Sequence, residues 1–332
     1  MIFLFLDFMT LSPDRQVSSY KSLLRIRRIE EMIADEYRNG TMRTPTHFGI
    51  GQEAVAVGVC DALTIDDAVF SHHRCHTHYL AKGGNLMGLV AELLGREAGC
   101  SRGRGGSVHL TDRSVGFYAS SPILGQASAL AVGAALAFQM DRKSEISVAF
   151  FGDGACDEGA VWESLNFAAI RRLPVLFVCE NNLYATESPL QVRQPKGTDL
   201  CERAKAFKVD SMKVDGNDVF AVFQAASDMV RQARDGEGPF FLECITYRWR
   251  EHVGPLWDHE VNRTYRTKEE VDAWIVKCPL KGCARALLQN QIATLDDMEL
   301  WRQEIEAEIS GVLSRAKEAP WPLASTLFDN IV

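Results

Sequence analysis

The chain has 332 residues, of which 46% are hydrophobic and 24% are charged, as in an ordinary globular protein. Its formal net charge of −8 provides no basic surface for nucleic acid or an anionic membrane, so neither is expected as a partner. Nine cysteines without any C-x-x-C spacing argue against a disulfide framework and favour reduced thiols in a cytoplasm. The length fits one large unit, and we expect an N-terminal extension, 1–16, ahead of a single domain, 17–332.

The chain opens with an apolar stretch, residues 1–9, that lacks a basic region and contains Asp7. This pattern fits neither a signal peptide nor a membrane span. A disordered extension and a strip that packs on a partner both remain open. The first helix is predicted over 17–39, because apolar residues recur at helical spacing and Gly40 supplies a stop. A second helix of small residues is predicted over 53–63.

The stretch 70–84 gathers four of the eight histidines around Arg74. His72 and His76 have the i, i+4 spacing of a transition-metal pair, which leaves such a site open, although no complete ligand set is evident. A guanidinium binds phosphate oxygens as a fork, so Arg74 is also a candidate clamp for a diphosphate group.

The next segments alternate between helices and a loop. A helix is predicted over 85–95, followed by a glycine- and arginine-rich loop over 99–107. The segment 124–138 is rich in alanine and glycine and carries no charge, which predicts a helix buried by close packing on both sides.

Two apolar runs, 146–151 and 175–179, are rich in β-branched and aromatic residues and predict buried parallel strands. The segment between them, 158–172, has the length and pattern of a crossover helix. The remaining predicted elements are a loop over 188–198, a strand at 213–214, a helix over 218–234, a strand over 240–247, a long irregular loop over 248–267 and an amphipathic helix over 295–312. The predicted fold class is therefore α/β, with a mostly parallel sheet flanked by helices.

Each of the two central strands is followed by polar or small residues. These are Gly-Asp-Gly at 152–154 and Glu-Asn-Asn at 180–182. Open α/β sheets bind ligands at the carboxyl ends of their strands, so Asp153 and Asn182 are expected to face one site. Alone, Asp153 could be a helix cap and Asn182 a turn residue, but their pairing after adjacent strands favours a site. Carboxylate and amide oxygens suit Mg²⁺, which takes its other ligands from phosphate and water.

The turn after the first strand also suits a diphosphate. Gly152 and Gly154 let the main chain approach an anion closely. Gly154 and Ala155 offer amides at the start of a helix, where the dipole favours negative charge. The residues alone therefore predict a Mg²⁺–diphosphate site.

Read together, these motifs resemble a known family. The Gly-Asp-Gly and Asn-Asn motifs, with 26 residues between them, resemble the fingerprint of thiamine diphosphate (ThDP) enzymes. From about residue 17 to the C-terminus, the chain resembles the alpha subunit of the decarboxylating component of 2-oxoacid or acetoin dehydrogenase complexes. The segments that carry this likeness are 47–53, 103–109, 152–166, 173–174, 180–185 and 214–217. The resemblance implies the diphosphate-binding half of the ThDP fold.

The resemblance also implies roles for individual residues. His47 would face the substrate, His252 would stand on an active-site loop, and both would be catalytic. Leu124 would support the bent cofactor from below. The implied metal ligands are Asp153, Asn182 and the main-chain carbonyl of Tyr184, and the implied cofactor contacts are His73, Arg74, Leu124, Gly152, Asp153, Gly154, Ala155, Asn182, Tyr184 and His252.

Two motifs depart from the usual family pattern. Where relatives usually have Tyr-Arg-x-His, this chain has a histidine, His73, before Arg74. The active-site loop usually reads His-Gly-His-Ser, whereas residues 250–253 here are Arg-Glu-His-Val. Val253 replaces a serine that some relatives phosphorylate, so we expect that control to be absent.

The resemblance implies a ThDP- and Mg²⁺-dependent enzyme that decarboxylates a 2-oxo acid, or cleaves acetoin, and passes the acyl group to a lipoyl or other acceptor. It further implies a beta subunit that carries the pyrimidine-binding domain, in a heterotetramer of two alpha and two beta chains. A lipoyl acyltransferase is a further candidate partner. Two alternatives stay open: a ThDP-dependent carboligase or split transketolase-like subunit, and a non-catalytic interaction protein.

Overall fold

The computed structural model describes residues 11–329, and its centre is a six-stranded sheet whose neighbouring strands are all parallel. In chain order its strands are β1 (Ala68–Ser71), β2 (Phe117–Ser120), β3 (Ser147–Gly152), β4 (Val175–Asn181), β7 (Asp210–Asp215) and β8 (Phe240–Ile245), while β5 (Tyr184–Ala185) and β6 (Ser188–Pro189) form a separate antiparallel pair. Across the sheet the order is β2-β1-β3-β4-β8-β7. The predicted α/β class is confirmed.

Helices cover both faces of this sheet. They are α1 (Pro13–Arg38), α2 (Glu53–Cys60), α3 (His76–Ala81), α4 (Leu86–Leu93), α5 (Gln126–Met140), α6 (Gly159–Arg171), α7 (Leu190–Arg193), α8 (Leu200–Ala206), α9 (Val219–Arg234), α10 (Lys268–Ile275), α11 (Pro279–Gln289) and α12 (Leu295–Glu318). Within residues 11–329, no helix combines the length and apolarity needed to cross a bilayer.

Successive side chains of the central strands point to opposite faces of the sheet, so the hydrophobic core consists of two clusters. Val148 and Phe150 of β3 belong to the cluster that also contains apolar residues of α1, α2 and α9. Ala149 and Phe151 point the other way and join residues of α5, α6 and α8. Because successive side chains of a strand face opposite sides of the sheet, strands buried on both faces read as continuous apolar runs.

Helix α1 begins before its predicted start at residue 17. The side chain of Ser12 accepts a hydrogen bond from the main-chain N–H of Arg15, and Pro13 occupies the first turn. Both features favour a helix start, because a capping oxygen satisfies a free N–H and proline needs no partner there. The predicted extension, 1–16, therefore includes the first turn of α1, and its residues 1–10 lie outside the described part of the chain.

Two further expectations differ from the structure. Strands β1 and β2 were not predicted, because each has four residues, too few to show a period. Helix α5 was expected to be buried on both sides, which is wrong for the chain by itself. Leu130, Gly133 and Met140 are exposed on one face of this helix.

Candidate active site

The register of β3 and β4 brings Asp153 and Asn182 to one edge of the sheet. Gly152 pairs with Glu180, so both strands end side by side. Asp153 then opens a short 3-10 turn, Asp153–Asp157, and is 1% exposed. Burial raises the pKa of its carboxyl, although the charge of Arg193 opposes the rise. The predicted meeting of the two motifs is thus present in the geometry.

The two carboxylate oxygens of Asp153 differ in their surroundings. Oδ2 accepts a hydrogen bond from the guanidinium of Arg193, which also contacts Asp157. Oδ1 is buried and has no hydrogen-bond partner among the described residues. A buried carboxylate oxygen without a partner is costly, so this atom is a natural position for a cation.

Asn182 is held by two neighbours. Its Oδ1 accepts the main-chain N–H of Tyr184 at 3.2 Å, and its Nδ2 donates to Oε1 of Gln52 at 3.2 Å. The buried Nε2 of Gln52 has no partner among the described residues. Gln52 was part of a motif in the sequence, but its contact with Asn182 was not predicted, since the two residues lie far apart along the chain.

Residues Gly154, Ala155 and Tyr184 lie together at this edge. A Cβ atom added to Gly154 would come within 2.7 Å of the Cβ atom of Ala185 in β5. The main chain of the turn therefore lies against β5, which begins at Tyr184. Ala155 is buried, and the hydroxyl of Tyr184 donates to Glu270 at 2.8 Å, away from the turn.

Arg74 stands in the turn after β1, the strand next to β3. Its side chain is buried, and Nη1 donates to the carbonyl oxygen of Phe48 at 2.7 Å. Burial, together with the charge of Arg248, lowers the pKa of Arg74 to about 9. The group remains a cation at neutral pH, and Arg74 lies at the same edge of the sheet as Asp153, since β1 and β3 are parallel neighbours.

His47, His73 and His252 meet in what we call the imidazole cluster. Their ring centroids lie 4.4 Å (His47–His73), 5.1 Å (His47–His252) and 5.4 Å (His73–His252) apart. Burial and then the charge of Arg74 lower the pKa of His47 to about 3 and that of His252 to about 2. The pKa of His73 is lowered for the same reasons. All three rings are therefore neutral near pH 7.

The imidazole cluster forms because a loop is tied to the segment that carries His47. The main-chain N–H of Gly254 donates to the carbonyl of Thr46, and that of Trp249 donates to Ile50, both at 2.9 Å. These bonds place His252 beside His47, although the two lie far apart in sequence. His47 and His252 are therefore neighbours in the structure, and their catalytic roles stay predictions.

Buried ion pairs anchor the same loop. Arg266 donates to Asp258 through Nε at 2.9 Å and to the carbonyl of Arg248 at 2.7 Å. Arg248 donates in turn to the hydroxyl of Tyr265 at 2.7 Å. As predicted, residues 248–267 are irregular, with one 3-10 turn, Asp258–Val261. The ion pairs hold this irregular segment in one arrangement without a helix or strand.

The transition-metal pair that the spacing suggested is not formed. His76 contacts Glu30 at 2.7 Å and Ser107 at 2.9 Å, whereas His72 contacts Glu180 at 2.6 Å. The two side chains therefore serve separate buried hydrogen bonds.

The ring nitrogens of the imidazole cluster do lie within 4.8 Å of one another. However, the positive charges of Arg74 and Arg248 act on these rings. That field favours an anion over a metal cation at this place.

Glu180 is a buried carboxylate that contacts two histidines. Its carboxylate lies 2.6 Å from Nε2 of His72 and 3.3 Å from Nε2 of His78. Burial alone would raise the pKa of Glu180, but these two histidines hold it below its usual value. Nδ1 of His72 accepts the main-chain N–H of Arg74 at 3.0 Å, so Glu180 is linked to the turn that carries Arg74. This link was not predicted.

Leu124 stands between β2 and α5. It is half-buried just before α5 and packs on the core cluster beneath that helix. The next residue, Gly125, donates its N–H to the carboxylate of Glu158 at 3.2 Å, which joins the starts of α5 and α6. The expected role of Leu124 under a cofactor stays a prediction.

Residues 21–325 match the family model of the dehydrogenase E1 component. This chain belongs to the dehydrogenase E1 component family. Over 97% of its length it is 35% identical to the alpha subunit of acetoin:2,6-dichlorophenolindophenol oxidoreductase from Bacillus subtilis (strain 168), of which it covers 95%. Over 97% it is 36% identical to the pyruvate dehydrogenase E1 component subunit alpha of Rhizobium meliloti (strain 1021), of which it covers 91%. A similar match is the corresponding acetoin subunit of Cupriavidus necator, at 35% identity.

The predicted family and the prediction of an enzyme are confirmed by these E1 relatives. The family model covers the fold from α1 to the segment that follows α12. The roles of individual site residues stay predictions, and the geometry above supplies the support for them.

Proposed function

We propose that this chain is the alpha subunit of a ThDP- and Mg²⁺-dependent enzyme that decarboxylates a 2-oxo acid or cleaves acetoin. In this proposal the acyl group passes to a lipoyl group or another acceptor. The observation that carries the proposal is the buried Oδ1 of Asp153, which has no hydrogen-bond partner within residues 11–329 and lies beside Asn182, at the edge of the sheet that also holds Arg74. It fits E1 relatives that are named pyruvate dehydrogenase and acetoin oxidoreductase subunits.

The donor set suits a divalent cation and a diphosphate. Asp153, Asn182 and the main-chain carbonyl of Tyr184 would hold Mg²⁺ through hard oxygen atoms. Gly154 lets the main chain of this turn lie close against β5, since a Cβ atom there would come within 2.7 Å of the Cβ atom of Ala185. Arg74 would bind diphosphate oxygens through its guanidinium, and His73 would donate a hydrogen bond in place of the tyrosine of relatives.

ThDP, when bound, supplies the nucleophilic carbon and the electron sink for cleavage next to a carbonyl. The residues of this chain orient the substrate and donate or accept protons around it. His47 and His252 are neutral, so each can donate one hydrogen bond and accept another. An anion that enters the imidazole cluster would raise the pKa of both residues, which prepares them to hold a proton near neutral pH.

The proposal includes a partner and a location. The carboxylate that acts on the aminopyrimidine ring in the resembled family belongs to a beta subunit, so this chain would be inactive alone. We propose a heterotetramer of two alpha and two beta chains, with a lipoyl acyltransferase as a further partner. A cytoplasmic location is proposed as well, supported by nine free cysteines.

The test begins with the metal site. In the assembled enzyme, Asp153→Ala should abolish Mg²⁺-dependent ThDP binding, measured by calorimetry, because it removes a metal ligand at a strand end. Asp157→Ala is the matched control, because it removes a carboxylate from the same turn and should retain binding. Unchanged ThDP affinity in Asp153→Ala would show that the metal lies elsewhere.

The substrate is tested by co-expression of this chain with a beta subunit from the same organism. Purified enzyme should reduce an artificial electron acceptor with one of a panel of 2-oxo acids or with acetoin. Absence of turnover with the whole panel, in enzyme that binds ThDP, would contradict the proposed reaction.

A further inference from the structure

Asn181 immediately precedes the proposed metal ligand Asn182 but makes different contacts. It is 3% exposed at the end of β4, and its side-chain Nδ2 donates to Oε1 of Glu243 at 2.7 Å. Glu243 is 2% exposed on the neighbouring strand β8. The main-chain carbonyl of Asn181 accepts the N–H of Thr246, also at the end of β8, at 3.0 Å. Asn181 therefore joins the carboxyl ends of two strands through both its main chain and its side chain.

The carboxylate of Glu243 decides which way round the amide of Asn181 stands. An ionised carboxylate only accepts hydrogen bonds, so it must face Nδ2, the donor of the amide. The amide oxygen Oδ1 is then directed at the main chain, where it accepts the N–H of Leu183 at 3.1 Å. Glu243 is held in turn by Lys213, whose Nζ lies 3.1 Å from Oε2 of Glu243.

The bond to Leu183 stabilises a turn that leucine does not favour. The φ angle of Leu183 is +73°, in the left-handed region that is unfavourable for a residue with a large side chain. A side-chain oxygen that binds the N–H two residues later forms an Asx turn, which supports such a local conformation. Because Leu183 separates Asn182 from Tyr184, its dihedral angles determine how the two are placed relative to each other.

We propose that Asn181 and Glu243 are positioning residues for the metal site. The pair holds the turn after β4 so that the side chain of Asn182 and the main-chain carbonyl of Tyr184 meet the same cation. This role rests on the proposed Mg²⁺ site. Neither member of the pair is needed as a metal ligand, because the polar side-chain atoms of both already have partners on the protein.

Exchanging the donor and the acceptor of the pair tests this role in the assembled enzyme at pH 8. Asn181→Asp places two carboxylates against each other and should weaken Mg²⁺-dependent ThDP binding, measured by calorimetry, at least about ten-fold. Charge alone would make this variant bind Mg²⁺ more tightly, so a loss of affinity reports a change of geometry.

Asn181→Asp combined with Glu243→Gln restores one donor and one acceptor. The new amide can donate to the new carboxylate, whose second oxygen again accepts the N–H of Leu183. The double variant should therefore bind ThDP within about three-fold of wild type, a recovery that independent sites would not show.

Glu243→Gln alone should weaken ThDP binding about three-fold or more, since its amide can face Asn181 with either the nitrogen or the oxygen atom. Glu202→Gln is the matched control. It makes the same charge change at an exposed position on α8 and should stay within about two-fold of wild type.

Melting temperatures show whether each variant is folded, and Asp153→Ala separates the two proposals. If Asp153→Ala abolishes Mg²⁺-dependent binding but the double variant binds no more tightly than either single variant, the positioning role is wrong and the metal site stands. Wild-type affinity in Asn181→Asp overturns the role as well. If Asp153→Ala binds like wild type, the metal site and the positioning role are both wrong. If Asn181→Asp does not fold, recovery in the double variant relative to Glu243→Gln decides the question.

Discussion

Burial and two nearby guanidinium groups together determine the protonation of the imidazole cluster. Burial is the larger cause that keeps His47 and His252 neutral, and the positive charges of Arg74 and Arg248 add to it. A negative charge that arrives beside these rings would make them easier to protonate. The cluster is therefore suited to respond to an anionic or polarised substrate and to stay uncharged without one.

For single residues, we expect substitutions of His47 and His252 to change different kinetic parameters. In the assembled enzyme, His252→Ala should lower kcat about 100-fold, a typical loss for a proton-handling group, and change ThDP affinity little. His47→Ala should mainly raise KM, because it removes a partner of the substrate carboxylate. Steady-state kinetics over a range of substrate concentrations checks both. His259→Ala, an exposed histidine of the same loop, is the control, and normal kinetics in both test variants would remove the pair from the site.

The same histidines should make stability depend on pH. Their unfolded pKa is 6.5, whereas the folded values are about 3 for His47 and about 2 for His252. Below pH 6.5 the unfolded chain takes up protons that the folded chain does not, so the free energy of unfolding falls as pH falls. Above pH 6.5 these groups contribute no slope. Glu180, whose pKa is lowered from 4.5, adds its own loss as the pH falls from 4.5 towards that lower value.

The contribution of His252 to the pH dependence of the free energy of unfolding can be measured between pH 6.5 and pH 5. There His252→Gln should reduce the pH dependence of the free energy of unfolding by roughly 1 kcal/mol per pH unit. Urea unfolding at a series of pH values measures this slope. His259→Gln should leave it unchanged, since that side chain is exposed. An identical slope in His252→Gln and wild type would mean that His252 is not held neutral in the folded chain.

Among the elements, the turn after β3 and the hairpin of β5 and β6 form one unit. Gly154→Ala would force a Cβ atom to within 2.7 Å of the Cβ atom of Ala185, so the hairpin must shift. We expect a loss of about 1–3 kcal/mol in stability and a ThDP affinity at least about ten-fold weaker in the assembled enzyme. Gly159→Ala, at the start of α6, meets only the end of a flexible glutamate side chain at 3.4 Å and should change neither. Thermal unfolding and calorimetry test the pair, and an unaffected Gly154→Ala would contradict the tight approach.

The elements also show which features the sequence could predict. The central strands and the Asp153–Asn182 pairing follow from local runs, because strand ends in a parallel sheet meet at one edge. The neighbourhood of His47 and His252 was predicted only through the family resemblance, since it depends on long-range main-chain bonds. Arg193 and Gln52 were not predicted as site residues. Their roles arise from tertiary contacts that leave no periodic pattern.

At the scale of the whole molecule, an apolar surface remains on α5 and α6. Leu130 and Met140 lie on one face of α5 and are 38% and 74% exposed, and Phe167 and Ile170 of the adjoining α6 are 39% and 70% exposed. Four large exposed apolar side chains on two adjoining helices suit a surface that another subunit covers. The uncharged sequence of α5, which suggested burial on both sides, is explained if another subunit covers this face.

We therefore expect charge on this surface to disrupt assembly and leave the fold intact. Met140→Glu combined with Ile170→Glu should weaken association with the beta subunit, or between alpha chains, at least about ten-fold. Stability of the separate chain should change by less than about 1 kcal/mol, because both side chains are exposed. Sedimentation velocity of the co-expressed proteins measures assembly. Val276→Glu, at a 78% exposed apolar position next to α10, is the control. If the double variant assembles like wild type, the α5–α6 face is not the interface and the partner must cover another surface.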